Sequence, residues 1–287
     1  MNWSFAEKSD LPAIRALLCR REWECVSLTG RLLSDGAYRL PASGRARIAV
    51  RRENGRVAQV LYMAKSGIVI PYFPGLPLED FREAEAVREI FQQTGVRISV
   101  LPGLKANIEA LTDWVGIHPL VSVDYYLMAR GDLSQETPLP SRVEFPYLEI
   151  RRAKPEDFNT ILPLQEAYEK EEILFQEKDF DSAKMRDELK LNLKTQLIYL
   201  GFYTGELIVK GGTNARGFTS DQIGGVYTRP DFRNKRVARF LMKRLLRHIF
   251  ADGKTACLFV KKHNLPAIRL YTGLGFRIAE NYRISYF

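Results

Sequence analysis

The sequence is poor in the residues that most metal and nucleophile chemistry needs. Among 287 residues there are three cysteines and three histidines. Cys19, Cys25 and Cys257 fall in no CxxC spacing, and an odd count suits neither a disulfide framework nor a structural zinc site, so they read as reduced thiols. His118, His248 and His263 are scattered without ligand spacing, and nothing supports a metal site or a histidine-based mechanism. No run of about eighteen apolar residues occurs, which excludes a conventional spanning helix. Met1 to Asp10 has no basic start followed by an apolar stretch, so no signal peptide is expected and the cytoplasm is the expected location. What remains is an ordinary soluble composition, 46% apolar and 27% charged, in a chain longer than one average domain; two domains are expected.

The net charge of +9 is unevenly spread. Residues 1–140 carry 17 Lys+Arg against 16 Asp+Glu, whereas residues 141–287 carry 26 against 18. The second half therefore calls for an anionic partner: nucleic acid, a membrane surface or a phosphorylated small molecule.

One unit is used twice. Ala6, Asp10, Leu11, Ile14 and Leu17 correspond to Ala153, Asp157, Phe158, Ile161 and Leu164 at a constant offset of 147. Each half then carries a hairpin signal, Asn54-Gly55 and Thr204-Gly205. The first half continues strand, helix, strand, helix, strand over 67–73, 78–93, 96–101, 105–115 and 121–128. The second repeats this order over 222–228, 234–250, 255–261, 266–272 and 277–287. Two α/β domains of shared architecture follow, joined by a linker within 131–145.

The chemical signal lies in the second unit. A buried strand ends at Thr228, Arg229-Pro230 stops it, and a polar basic loop from Asp231 to Arg236 runs straight into a helix. Helix-start amides have no internal acceptors and the helix dipole is positive there, so such a junction can hold a diphosphate. Arg229 to Arg247 contains eight basic residues and only Asp231 against them. Lys243 and Arg247 fit the solvated stripe of an amphipathic helix; Arg233 to Ala238, at the loop itself, fit anion binding.

These residues resemble the GNAT (GCN5-related N-acetyltransferase) superfamily, whose CoA loop reads Arg or Gln, two residues, Gly, one residue, then Gly or Ala. Here the loop is Arg233, Asn234, Lys235, Arg236, Val237 and Ala238, with arginine at the glycine position. "GGVYTRPDFR" resembles the strand leading into the loop of one subgroup, and "NLPAIRLYTGLGF" the downstream motif; the order of elements extends the likeness back to Tyr147. The resemblance implies an α/β (α+β) fold of two GNAT-like domains, each a central mixed, mostly antiparallel sheet flanked by helices. It divides the chain into a degenerate domain at 1–133, a linker at 134–146 and an acyl-CoA-binding catalytic domain at 147–287.

The resemblance also implies that acetyl-CoA is the cosubstrate, with pantetheine in a gap between splayed strands against Val226, Tyr227 and Thr228. Asn264 either contacts the CoA chain or caps the helix ahead of Pro266. Tyr271 matches the tyrosine that protonates the departing thiolate, a role that suits a phenol; it equally suits aromatic packing beside Leu270 and Phe276. The position of the family's glutamate base is Gln222, which cannot take a proton. Asp221 is the adjacent candidate base but points to the other face of a regular strand, so a water-mediated base or an already neutral amine are alternatives, and Asp221 is otherwise a solvent-facing strand end.

The implied activity is acyl transfer to a primary amine, of a small molecule or a peptide, by direct attack without a covalent Cys257 intermediate. No nucleic-acid motif or aromatic platform stands behind the basic helix, so neither nucleic acid nor membrane is expected as partner. Seven acidic residues between Glu166 and Asp181 suit a cationic acceptor or a solvated helix face. The alternative is a noncatalytic acyl-CoA sensor, to which Arg236 and Gln222 point. In the first half, Glu79, Asp80, Glu83 and Glu85 at the equivalent helix start would repel a diphosphate, so one CoA per chain is expected.

Overall fold

The computed structural model describes residues 2–34, 37–42, 44–75, 81–131, 147–173 and 180–287. The expected linker 134–146, together with Glu79 and Asp80, lies outside them. The first half runs β1 (Asn2–Phe5), α1 (Leu11–Leu18), α2 (Val26–Leu32), the short β2 (Leu33–Ser34) and β3 (Ala37–Tyr38), β4 (Ala46–Glu53), β5 (Arg56–Ala64), β6 (Val69–Tyr72), α3 (Phe81–Thr94), β7 (Val100–Leu104), α4 (Lys105–Val115) and β8 (Val121–Arg130). The second runs β9 (Leu148–Arg152), α5 (Phe158–Tyr168), α6 (Ser182–Thr195), β10 (Ile198–Tyr203), β11 (Glu206–Arg216), β12 (Ser220–Thr228), α7 (Val237–Ala251), β13 (Thr255–Lys261), α8 (Leu265–Thr272) and β14 (Arg277–Tyr286).

The internal repeat extends to single hydrogen bonds. Asp10 accepts from the Glu7 amide at 2.9 Å, and Asp157, 147 positions on, accepts from the Lys154 amide at 2.7 Å. Each carboxylate also binds an arginine, Arg52 at 2.6 Å and Arg151 at 2.7 Å. Both hairpins turn through two residues of positive φ, Asn54 (49°) with Gly55 (76°) and Thr204 (49°) with Gly205 (84°), which matches the twist of the flanking strands.

Strand order shows how the halves join. Besides the two-stranded β2-β3, one sheet is β1-β4-β5-β6 and the other is β7-β14-β8-β13-β12-β11-β10-β9. Each half's last strand is thus paired within the other half's set. β8 lies between β13 and β14, and β14 lies between β8 and β7, all antiparallel. A parallel bridge, Ile68 to Val100, links β6 to β7 and so connects the two sheets. Side chains follow the exchange: Arg283 on β14 binds Asp124 on β8 at 2.6 Å, and Met128 of β8 is buried in the core beneath α7.

A buried carboxylate fastens the halves a second time. Glu22, 1% exposed, accepts from the amides of Phe218, Thr219 and Ser220 and from the Thr219 hydroxyl, at 2.5 to 2.9 Å. These donors satisfy a charge that would otherwise be expensive to bury.

Alternation along the second half's strands divides the helices. Val209 packs with Val237 and Leu241 of α7, whereas Leu200 packs with Ile161 of α5 and Leu189 of α6 on the opposite face. Because β8 fills the place between β13 and β14, residues 134–287 alone should lack cooperative urea unfolding. A fragment unfolding cooperatively with the full chain's stability would show the exchanged strand to be dispensable.

Candidate functional site

β12 and β13 pair in parallel only from Ser220 with Thr255 to Ile223 with Leu258. Beyond that point β12 follows β11 to Thr228 and β13 follows β8 to Lys261, leaving a gap edged by backbone. The divergence has a local cause. The β11–β12 register shifts between Lys210 and Gly212 and again between Thr213 and Ala215, and Gly225 takes φ of 61°, so the bulged strand bends away from its neighbour. Val226, Tyr227 and Thr228 lie on this unpaired stretch. Val226 leans on the α7 core, and Tyr227 is buried toward α5, its ring 6.1 Å from that of Tyr168.

At the end of β12 a 3-10 turn, Pro230–Phe232, leads into the loop. The helix begins at Val237 rather than at Asn234, because Asn234 (φ 60°) and Arg236 (φ 62°) are left-handed. The Arg236 carbonyl accepts from the amides of Arg239 and Phe240, at 3.0 and 3.3 Å. The amides of Val237 and Ala238 sit at the first turn and have no intrahelical acceptor. Arg233, Lys235 and Arg236 belong to the loop that leads into this start, a basic setting that suits a diphosphate, with Arg233 reaching Glu171 and the Thr228 carbonyl and Lys235 lying 5.4 Å from the Phe232 ring. Arg236 shows why glycine is expected at its position: the backbone there needs a positive φ, and here a side-chain-bearing residue adopts it.

An acidic π-helical turn, Glu169–Ile173, spans the gap. Glu171 binds Arg233 at 2.8 Å and accepts from the Tyr227 hydroxyl at 2.7 Å, on the β12 side. The Arg233 guanidinium holds the Glu171 carboxyl below its ordinary value, despite partial burial. Glu172 reaches the β13 side, where Lys261 donates to its carbonyl at 2.6 Å. The loop arginine is thus engaged by a carboxylate, and a phosphate at the helix start would share or displace that pair. Both partners are about 40% exposed, 39% and 42%, so the pair is weak.

Tyr271 is buried in the α7 core, edge-on to Phe276 at 6.1 Å. Burial, reinforced by Glu172, raises its phenol well above the ordinary value and keeps it protonated. Asn264 caps α8, its Oδ1 accepting from the Ala267 amide at 3.1 Å.

Asp221 is not a solvent-facing strand end. It is fully buried, receiving Arg216 at 3.0 Å and Lys254 at 2.9 Å, in the part of β12 still paired to β13. Two cations account for that burial, Arg216 from the preceding strand β11 and Lys254 from the approach to β13. Gln222 is also buried, with Oε1 lacking a hydrogen-bond partner among the described residues. Cys257 is fully buried and its thiol is raised well above the ordinary value by burial, which suppresses the thiolate.

A cavity of about 270 Å³ opens between α5, α6 and the sheet, lined by Gln165, Glu169, Glu188, Asn192, Lys210 and Asn214 among others, all from the second half. It reaches Gly224 and Gly225, where β12 leaves β13. Lys210 was not among the residues expected to act. The available signal was a single lysine inside the apolar run Leu207 to Gly211, since buried cations are rare without a specific partner. No group of three or more His, Cys, Asp or Glu side chains that could hold a metal occurs among the described residues. No described helix is long and apolar enough to cross a membrane.

The first half differs at the corresponding place. Past the Ile68–Val100 bridge, Phe73 stacks on Trp114 at 5.4 Å and meets Trp3 edge-on at 5.8 Å. Glu83 of α3 is buried and bound by Arg51 and by the Trp3 indole, each at 2.6 Å. Its charge is spent inside the core, away from any ligand.

The left-handed arginine gives a direct test. Arg236→Gly should raise stability by roughly 1 kcal/mol, because a left-handed side-chain-bearing residue is strained by about that amount. Urea denaturation measures this, and a loss of stability would show that the Arg236 side chain makes a larger contribution than its backbone costs.

Residues 199–284 match the family model described as FR47-like protein. No curated protein matches the chain in sequence. Among solved structures, a GNAT-family acetyltransferase from Colwellia psychrerythraea superposes with a TM-score of 0.58 at 14% identity, covering 100% of both chains. A tandem GNAT protein from the clavulanic acid biosynthesis pathway gives 0.59 at 16% identity, covering 99% of this chain and 97% of that one. A GCN5-related N-acetyltransferase from Sphaerobacter thermophilus gives 0.57 at 17%, covering 99% and 94%. At these identities the likeness establishes the fold. The chain resembles the GNAT superfamily in sequence over much of its second half and in fold from end to end.

Proposed function

We propose that the protein is an N-acyltransferase that carries acetyl from acetyl-CoA to a cationic primary amine at one site in its second half. The observation that carries this reading is the gap between β12 and β13, with an anion-suited helix start at its mouth and an acid-lined cavity at its base. The diphosphate goes to the amides of Val237 and Ala238 with Arg233, Lys235 and Arg236. Asn234 shapes the loop, and Asn264, already a helix cap, borders the chain of the cosubstrate. Pantetheine then lies along Val226, Tyr227 and Thr228, past the end of the β13 pairing, where the Thr228 carbonyl already accepts from Arg233 Nε at 3.1 Å.

The acceptor nitrogen attacks the thioester carbonyl, a C–N bond forms and the C–S bond breaks. Tyr271, kept protonated by burial, supplies the proton to the departing sulfur. Asp221 has a structural part in this scheme, because Arg216 and Lys254 already neutralise it. The division into units at 1–133 and 147–287 is kept, with the first half lending strand β8 and the Glu22 clamp rather than a second CoA site.

Calorimetry with acetyl-CoA should give one site per chain, and Arg233→Glu should weaken it by roughly tenfold or more through loss of a charge-assisted contact. Two sites, or unchanged affinity in the variant, would contradict the placement. A thiol-release screen of primary amines tests turnover; Tyr271→Phe should lower kcat by about a hundredfold with acetyl-CoA affinity intact. Binding without thiol release from any amine would favour the acyl-CoA sensor instead, a reading suggested by Gln222 at the position of the family's base.

A further inference from the structure

We propose that Lys210 is the proton acceptor for the incoming amine, placed where the acid-lined cavity meets the opened strand. This rests on the acyltransferase reading above and adds a residue to it. Lys210 stands on β11, on the face covered by α5 and α6, and is 4% exposed. Its Nζ donates to the Gly225 carbonyl at 3.0 Å and lies 4.3 Å above the Tyr168 ring. Gly225 belongs both to the cavity lining and to the bulge at which β12 leaves β13. The ammonium therefore occupies the short path from the cavity to the place a thioester would take in the gap.

The charged and titratable groups facing it come from each neighbouring element. Glu169 and Tyr168 descend from the end of α5, Glu188 of α6 lines the same cavity, Lys184 of α6 acts on Glu169, and Tyr227 is its cross-strand neighbour on β12. Glu169 is hydrogen-bonded to Gln165 at 2.8 Å and, by burial, is raised above its ordinary value. No salt bridge joins Lys210 to a carboxylate among the described residues, so burial dominates and brings its ammonium down to about 7. Near neutral pH a large share of Lys210 is the free amine, which can accept a proton.

The proton balance is complete. An acceptor enters as an ammonium, drawn by Glu169 and Glu188, and gives one proton to the Lys210 Nζ lone pair. The freed amine attacks the thioester carbonyl. As the C–S bond breaks, the sulfur takes the Tyr271 proton and the N–H of the tetrahedral adduct replaces it. The net products are amide, free CoA thiol and one proton, which leaves from Lys210 through the open cavity.

Lys210 must be neutral to act, so kcat should rise with pH through a midpoint near 7 and then level off. Lys210→Arg, permanently charged, and Lys210→Met should each lower kcat by about a hundredfold or more and abolish that limb, with acetyl-CoA affinity within about twofold. A merely structural lysine would leave the limb in place. Retention of the limb, or of kcat within about threefold, in folded Lys210→Met would overturn the inference. Nitrogen NMR of the lysine side chains in the full chain tests it without an acceptor: a Lys210 midpoint near 7 is expected, and one near 10 overturns it whatever the amine screen finds.

Discussion

Four residues of parallel pairing between β12 and β13, ending at Ile223 and Leu258, are the constraint on which the rest of the second half depends. A longer ladder would close the gap and satisfy the edge of β12 internally. The stop takes Gly224 to Thr228 out of the β13 ladder, in a strand already bent by the Gly225 bulge, and side chains take up two of its carbonyls: Lys210 Nζ donates to Gly225 and Arg233 Nε to Thr228. The acidic turn Glu169–Ile173 then has two lips to hold, through Glu171 on one and Glu172 on the other. The loop and α7 follow directly from the end of the same strand. The opening, the basic loop before α7 and the cavity under α5 and α6 all adjoin this one interruption in hydrogen bonding.

The exchanged strands explain how such an interruption is tolerated. β13 loses β12 as a partner beyond Leu258 but keeps β8 over six residues, Ala256 to Lys261. That support comes from the first half, whose Tyr125 on β8 also lies within electrostatic reach of Tyr168 and Glu172, and whose Tyr126 packs against the core that holds Tyr271. The first half's own equivalent region is filled by Phe73 stacked on Trp114 and by Glu83 paired with Arg51.

Local signals carried most of the element order. The two-residue turns, the proline stops and the 147-residue offset all depend on neighbours in sequence, and the structure agrees with each. Features set by distant contacts were illegible. Asp221 reads as a strand-end carboxylate until the β11–β12 pairing sets Arg216 opposite it and Lys254, 33 residues on, is brought onto it. The exchange of β8 and β14 depends on register between strands more than 140 residues apart, for example Ser122 with Ser285, whose hydroxyls meet at 2.8 Å. Arg236 was visible as a departure from glycine, yet only its φ shows that the loop kept its shape at the cost of strain. Lys210 stood out only as one cation in an apolar strand, and its neighbours on α5 and α6 become evident only in three dimensions.

Amide hydrogen exchange on the full chain, with and without saturating acetyl-CoA, tests the central claim most directly. The account predicts slowed exchange at residues 225–228 and 237–239 and no change at residues 72–75 and 81–84. Equal protection in both halves, or none at the opened stretch of β12, would contradict it.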